Sequence, residues 1–192
     1  MTRSLLELFS GSGVLSARFR EGGWSTREVE LTRGEDVMTF EPEADYDVVF
    51  GAPPCGEYSG LRYDYSAIWS ADRALWLRTL ELVQQIKPRY WIIENVKMAQ
   101  WLWGRAVCHY GQIFLWGWFP PLVRSASWRE SQKGTHFSRS EKSRWNEDRT
   151  SAERATYPPD FCDTMFETIE RGFKTGYQPR LYGGAGEARV VA

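Results

Sequence analysis

The sequence predicts an α/β fold whose sheet is mainly parallel. Three observations predict it. Short apolar runs alternate with stretches of helical periodicity, the connections between them are brief, and the polar residues with chemical potential follow directly on the apolar runs. Open parallel sheets bind ligands beyond the carboxyl ends of their strands, so the third observation predicts a single shared site.

Residues 4–9 (SLLELF) read as a first strand that ends in the turn Ser10-Gly11-Ser12-Gly13. Residues 14–20 read as a helix stopped by Gly22-Gly23. A second strand is expected over residues 25–31, with Glu30 at its end and Gly34-Glu35-Asp36 beyond. Residues 47–50 (DVVF) are apolar enough for burial on both faces. They run into Gly51-Ala52-Pro53-Pro54-Cys55, where two prolines end regular pairing. Leu75, Leu77, Leu80, Leu82, Val83 and Ile86 recur at helical spacing, so a helix is expected over residues 70–86, capped by Ser70 and ended by Lys87-Pro88.

Residues 90–93 (YWII) are a fourth buried strand, terminating at Glu94-Asn95. After Met98 the pattern weakens, and residues 112–119 (QIFLWGWF) are a strand candidate before Pro120-Pro121. Residues 124–154 are rich in Ser, Arg, Lys and Glu with almost no aliphatic content, which predicts a long polar loop, residues 120–157 with its flanks. A last helix is expected over residues 160–171, opened by Pro158-Pro159 and closed by Gly172, and residues 183–192 read as a flexible tail.

At 192 residues the chain suits one domain, residues 1–192. Hydrophobic residues make up 42% and charged residues 26%, the balance of a globular protein. No window approaches the ~20 apolar residues of a membrane-spanning helix. Three dispersed cysteines and two histidines supply ligands poorly for zinc and give no disulfide framework, so no metal, no membrane and a cytoplasmic location are expected. Lys+Arg number 24 against 25 Asp+Glu, which excludes a basic coat over the whole surface. The ten tryptophans are the unusual count. Most are expected in the core, while Trp116, Trp118 and Trp128 suit either the core or a surface on which bases stack.

Three segments carry chemistry. In LELFSGSGVLS the glycines let the backbone pass close to a ligand, and the helix start offers free N–H groups. The G-x-G-x-x-G spacing is absent, and an ordinary strand-to-helix turn reads equally well. Glu30 suits a ribose hydroxyl pair and Asp36 an adenine amino group, although each, taken singly, is more often a solvated carboxylate. In GAPPCGEYS a cysteine held by prolines at a strand end sits on a stiff loop where a thiolate is free to attack. In IIENV the carboxyl of Glu94 follows two isoleucines, a setting that raises its pKa and suits it to donate a proton; the alternative is a charge near a helix start.

In this order the three segments resemble the DNA (cytosine-5) methyltransferases, and a chain this short is similar to small phage-type members. LELFSGSGVLS resembles the family's S-adenosylmethionine turn, GAPPCGEYS its proline-cysteine loop and IIENV its glutamate-asparagine-valine motif. The resemblance covers about residues 3–100 and implies a Rossmann-like class I S-adenosylmethionine-dependent fold, truncated, with no large target-recognition domain. No glutamine-arginine-any-arginine motif and no closing glycine-asparagine motif with its helix is seen.

The resemblance implies that Cys55 adds to C6 of cytosine while Glu94 holds or protonates N3. S-adenosylmethionine would lie on Phe9, Ser10, Gly11, Gly13, Glu30, Asp36, Ala52 and Pro53. DNA, single- or double-stranded, would meet Pro54, Ser59, Arg62, Asn95, Arg124 and Arg129, with Arg62 a candidate to favour the Cys55 thiolate. A phage origin would place the chain in a bacterial host's cytoplasm, in a restriction-modification setting. Two rivals stand beside this reading. One is methylation of an exocyclic amine on cytosine or adenine, opposed by Ala52 and Cys55 at positions where such enzymes carry a polar residue and an aromatic ring. The other is a non-catalytic nucleic-acid-binding derivative, opposed by the presence of both Cys55 and Glu94.

Overall fold

The computed structural model describes residues 2–56, 58, 73–123 and 156–178. Its strands are Ser4–Leu8 (β1), Ser25–Val29 (β2), Val48–Gly51 (β3), Tyr90–Asn95 (β4), Cys108–Tyr110 (β5) and Ile113–Trp118 (β6). They form one sheet in the order β2-β1-β3-β4-β6-β5. The first four are mutually parallel, β6 runs antiparallel to β4, and β5 antiparallel to β6. The chain thus leaves β1 for β2 on one side and returns across it to β3 on the other. Such a reversal opens a crevice at the carboxyl ends of β1 and β3.

Strand periodicity sorts the core into two faces. Leu5, Val48, Phe50, Tyr90 and Ile92 point to one, where they meet the helices Val14–Glu21 (α1) and Pro159–Thr175 (α4) through Leu15, Phe19, Phe161, Met165 and Ile169. Leu6, Leu8 and Val49 point to the other and meet Leu82, Val83 and Ile86 of the helix Ala74–Ile86 (α2). A short helix, Gln100–Trp103 (α3), follows a 3-10 turn at Lys97–Ala99. Its Trp103 stacks on Trp76 at 4.7 Å, and Trp116 meets Trp76 edge-on at 5.2 Å. Trp116 is therefore core, Trp118 is partly buried, and Trp128 lies outside the described residues.

The mainly parallel α/β sheet is as the sequence predicts, with three local differences. β2 stops at Val29 because Glu30 turns to cap the 3-10 turn Leu31–Arg33. The strand β5 was not expected, being three residues long with mixed exposure. α4 does not close at Gly172 but continues to Thr175 and ends on Gly176, which takes a left-handed φ of 64°. Gly172 instead serves packing, since a Cβ there would stand 2.3 Å from Pro120 and 2.9 Å from Tyr90 Oη. α2 is described from Ala74, so its expected start at residues 70–72 lies outside the described residues, as do the loop 124–154 and the tail 183–192. Among the described residues no helix is long and apolar enough to cross a membrane.

Candidate active site

The turn after β1 is built by unusual backbone geometry. Phe9 adopts φ 60°, a region that costs a bulky residue of order 1–3 kcal/mol. Its N–H donates to Val29 O of the neighbouring strand at 2.9 Å, which holds the chain in that bend. Gly13, at φ 70°, leads into α1 without a capping side chain, and a Cβ there would meet the Glu28 carboxylate at 2.6 Å. Glu28 is itself held by Arg20 at 2.6 Å and by Arg33, whose second nitrogen donates to Gly11 O at 3.1 Å.

The cap that Gly13 lacks comes from the sheet. Glu7, in the middle of β1 and 2% exposed, accepts from Ser16 N in the first turn of α1 at 2.9 Å. Burial pushes its carboxyl up to about 7, and the Ser16 bonds only partly oppose this. The folded protein thus holds a proton here that the unfolded chain, with its ordinary value of 4.5, releases earlier. The stabilisation is complete below about pH 4.5 and is lost as pH rises through about 7, up to about 3 kcal/mol for one such carboxyl. Urea midpoints measured from pH 4.5 to pH 8 are expected to fall, and Glu7→Gln to flatten much of that slope. An equal slope in the variant would contradict it.

Glu30, which follows β2, reaches back to the turn after β1. Its Oε2 accepts from Gly11 N at 2.7 Å and its Oε1 from Thr32 N at 3.1 Å. Partial burial raises its carboxyl, but these bonds and the Thr32 hydroxyl outweigh it, so Glu30 is held below the usual carboxylate range and stays ionised. Asp36 uses Oδ1 to accept from Met38 N at 2.9 Å, fixing the bend that follows. Ser10 Oγ is buried and has no hydrogen-bond partner among the described residues. An ionised carboxylate, a strained aromatic and an orphaned hydroxyl around one crevice fit a nucleoside ligand with hydroxyl groups. Among the described residues no group of three His, Cys, Asp or Glu side chains is placed to hold a metal.

On the β3 side, Ala52 N donates to Leu8 O at 3.2 Å, which extends the parallel pairing by one residue before Pro53 ends it. Pro53 is buried, whereas Pro54 and Cys55 are exposed. Asn95, expected to touch the substrate, is fully buried. Its Nδ2 donates to Pro53 O at 3.0 Å and its Oδ1 accepts from Val96 N at 2.9 Å. These bonds tether the Cys55 loop to β4, a structural role that the expected base contact did not include. Ser59, Arg62, Arg124 and Arg129 lie outside the described residues.

Glu94, one residue before Asn95, is partly buried and accepts from Tyr157 Oη at Oε2, 3.0 Å away. Burial pushes its carboxyl up to about 7, with the Tyr157 bond a smaller opposing effect. Glu94 is close enough to Cys55 to act on it: burial of the sulfur and then the Glu94 charge push the thiol above its ordinary value. Arg62, the sequence's candidate to favour the thiolate, lies outside the described residues; among those described, the charge that bears on Cys55 is the Glu94 carboxylate. Tyr157 is the site residue that sequence reasoning missed; the only local signal is its place before Pro158-Pro159.

Comparison with known proteins bears on the same segments. Residues 25–101 match the family model described as C-5 cytosine-specific DNA methylase, a stretch that contains Glu30, Asp36, Cys55 and Glu94 but not the turn at residues 9–13. A probable DNA (cytosine-5)-methyltransferase of frog virus 3 (isolate Goorha) is 26% identical over 140 residues, 59% of this chain and 65% of the relative. The chain thus spans just under two thirds of the length of the curated relative it matches. Among solved structures, a putative DNA modification methyltransferase encoded within an E. coli prophage is 24% identical, covering 51% of this chain and 33% of the other, with TM-score 0.38. The Entamoeba histolytica methyltransferase EhMeth is 15% identical, covering 52% and 40%, with TM-score 0.33. Neither structural likeness carries the fold assignment, which rests on the sheet order above. The resemblance drawn from the three motifs holds where it is densest: over residues 25–101 this chain matches the C-5 cytosine-specific DNA methylases.

Proposed function

We propose that this chain transfers a methyl group from S-adenosylmethionine to C5 of cytosine in DNA through a covalent intermediate on Cys55. The observation that supports it most is the pairing of an exposed cysteine with a carboxyl of pKa about 7 at one sheet edge, beside the crevice lined by Phe9, Ser10, Gly11 and Glu30. An exocyclic-amine methyltransferase needs neither the cysteine nor that carboxyl. Three free thiols also suit a reducing compartment such as cytoplasm.

Each group has a distinct task. Glu30 holds the ribose hydroxyls, and the turn at residues 9–13 with Ala52 and Pro53 lines the rest of the crevice. Asp36 borders the adenine end. A target within a duplex is flipped out first, at a cost of a few kcal/mol. The Cys55 sulfur forms a bond to C6 as the C5=C6 bond opens toward C5, while the Glu94 proton holds N3. S-adenosylmethionine supplies, when bound, an electrophilic methyl group for C5. The C5 proton then leaves to solvent, its bonding electrons restore C5=C6, and sulfur departs as thiolate. Pro54 stiffens the chain next to Cys55, and Asn95 anchors the same loop from behind.

Two measurements test this. DNA incubated with the chain and methyl-labelled S-adenosylmethionine, digested and analysed by mass spectrometry, is expected to contain C5-methylcytosine. Label on N4 of cytosine or N6 of adenine would overturn the assignment. Glu30→Ala removes a charged acceptor and is expected to weaken S-adenosylmethionine binding by about ten- to a hundredfold in calorimetry. An unchanged Kd would remove Glu30 from the cofactor site.

A further inference from the structure

Tyr157 belongs to none of the three motifs, yet its hydroxyl reaches across 63 residues of sequence to donate to Glu94 Oε2. Its ring is held from two directions. Phe50 of β3 meets it edge-on at 5.8 Å, and Phe161 of α4 lies tilted against it at 5.0 Å. Both neighbours are at most 1% exposed, so neither has room to yield. On the other side Pro158, at φ −60° and ψ 142°, and Pro159 fix the chain as it enters α4. α4 is fastened in turn to α1, with Phe166 edge-on to Phe19 at 5.4 Å and Arg18 bonded to Asp163. The position of the Tyr157 hydroxyl oxygen is therefore set by the fold and not by its acceptor.

The acceptor needs such help. The terminal torsion of a glutamate side chain is broad, so a carboxyl at the end of a strand turns easily. Binding one oxygen to a fixed donor sets the plane of the group and leaves the second oxygen for an outside partner.

We propose that Tyr157 is a positioning residue for Glu94: by holding Oε2 it fixes the carboxyl plane that presents Oε1 to N3 of the target base. The proposal rests on the role given to Glu94 above. Tyr157 remains a donor throughout, because its own burial and the neighbouring Glu94 charge push its ionisation well up. Among the described residues the titratable groups that face Glu94 are Tyr157 and, from the loop after β3, Cys55, while Glu7 of β1 and Cys162 of α4 bear on Tyr157. Since the bond favours the ionised carboxylate, deleting it moves the Glu94 titration further up.

The test is the pH profile of kcat/KM for methyl transfer in wild type, Y157F, E94Q and the double variant. The inflection near pH 7 in wild type is the ionisation of Glu94, which must keep its proton to serve N3. Y157F is expected to move it up by about one pH unit and to lower kcat roughly tenfold. S-adenosylmethionine affinity should stay unchanged, and the double variant should be no slower than E94Q. If E94Q loses activity while Y157F keeps the wild-type inflection and kcat, the positioning role is overturned and Glu94 keeps its own. An E94Q variant as active as wild type, or a wild type without methyl transfer, overturns the underlying reading instead. Should Y157F not fold, 3-fluorotyrosine at position 157 keeps the ring and donates more strongly. The inflection then moves down, and an unmoved inflection overturns the proposal.

Discussion

Cys55→Ser is expected to lower methyl transfer by roughly a thousandfold or more, because a hydroxyl cannot take over the addition to C6. Thermal stability and S-adenosylmethionine affinity should hardly change, since Cys55 is exposed and belongs to none of the buried clusters. DNA containing 5-fluorocytosine should trap wild type as a denaturant-resistant adduct and leave the serine variant free. A serine variant within tenfold of the wild-type rate would remove the covalent route. The raised thiol sharpens the expectation. Burial and, after it, a negative Glu94 oppose a negative sulfur. While Glu94 keeps its proton and donates it as a hydrogen bond to N3, the Glu94 part of that opposition is absent, so the arrangement that readies the base also favours the thiolate.

Gly117→Ala is expected to have the largest effect on stability. Gly117 lies within β6 at φ 137°, a conformation that side-chain-bearing residues avoid, directly opposite Ile92 of β4. A Cβ there would sit 2.1 Å from Trp91 O and 3.1 Å from Ile92 Cα, both backbone atoms of the adjacent strand. No side-chain rotation relieves that, so the two strands must separate. Backbone strain and overpacking each cost of order 1–3 kcal/mol, so a loss of about 3–5 kcal/mol and a Tm lower by roughly 10 °C follow. Calorimetry decides it, and a Tm within about 2 °C of wild type would contradict the register described. Activity should fall with stability, because Glu94 lies two residues beyond Ile92 on the displaced strand.

The candidate residues stand out in the sequence because a parallel sheet concentrates such groups at strand ends. Cys55 and Glu94 follow apolar runs and Glu30 follows β2, and a parallel sheet brings such positions to one edge whatever the details of its helices. What escaped depends on contacts distant in sequence. Nothing near Tyr157 announces Glu94. Asn95 has the residue type of a base contact, and only the path of the Cys55 loop shows that Pro53 claims it. Gly172 carries the sequence signal of a helix end, but Tyr90 and Pro120 crowd it so closely that glycine is required within the helix. β5 is too short for periodicity to register. The Cys55 thiol shift was missed for the same reason, since it is set by burial and by a carboxylate on another strand.

The sulfur of Cys55, pushed toward its protonated form, has a consequence for the resting protein. Peroxides and soft electrophiles consume the anionic form of a cysteine far faster than the neutral one. An exposed residue on a stiff loop would otherwise be a ready target for them. On the proposed covalent route, the feature that makes the free thiol sluggish between turnovers would also preserve it from adventitious damage.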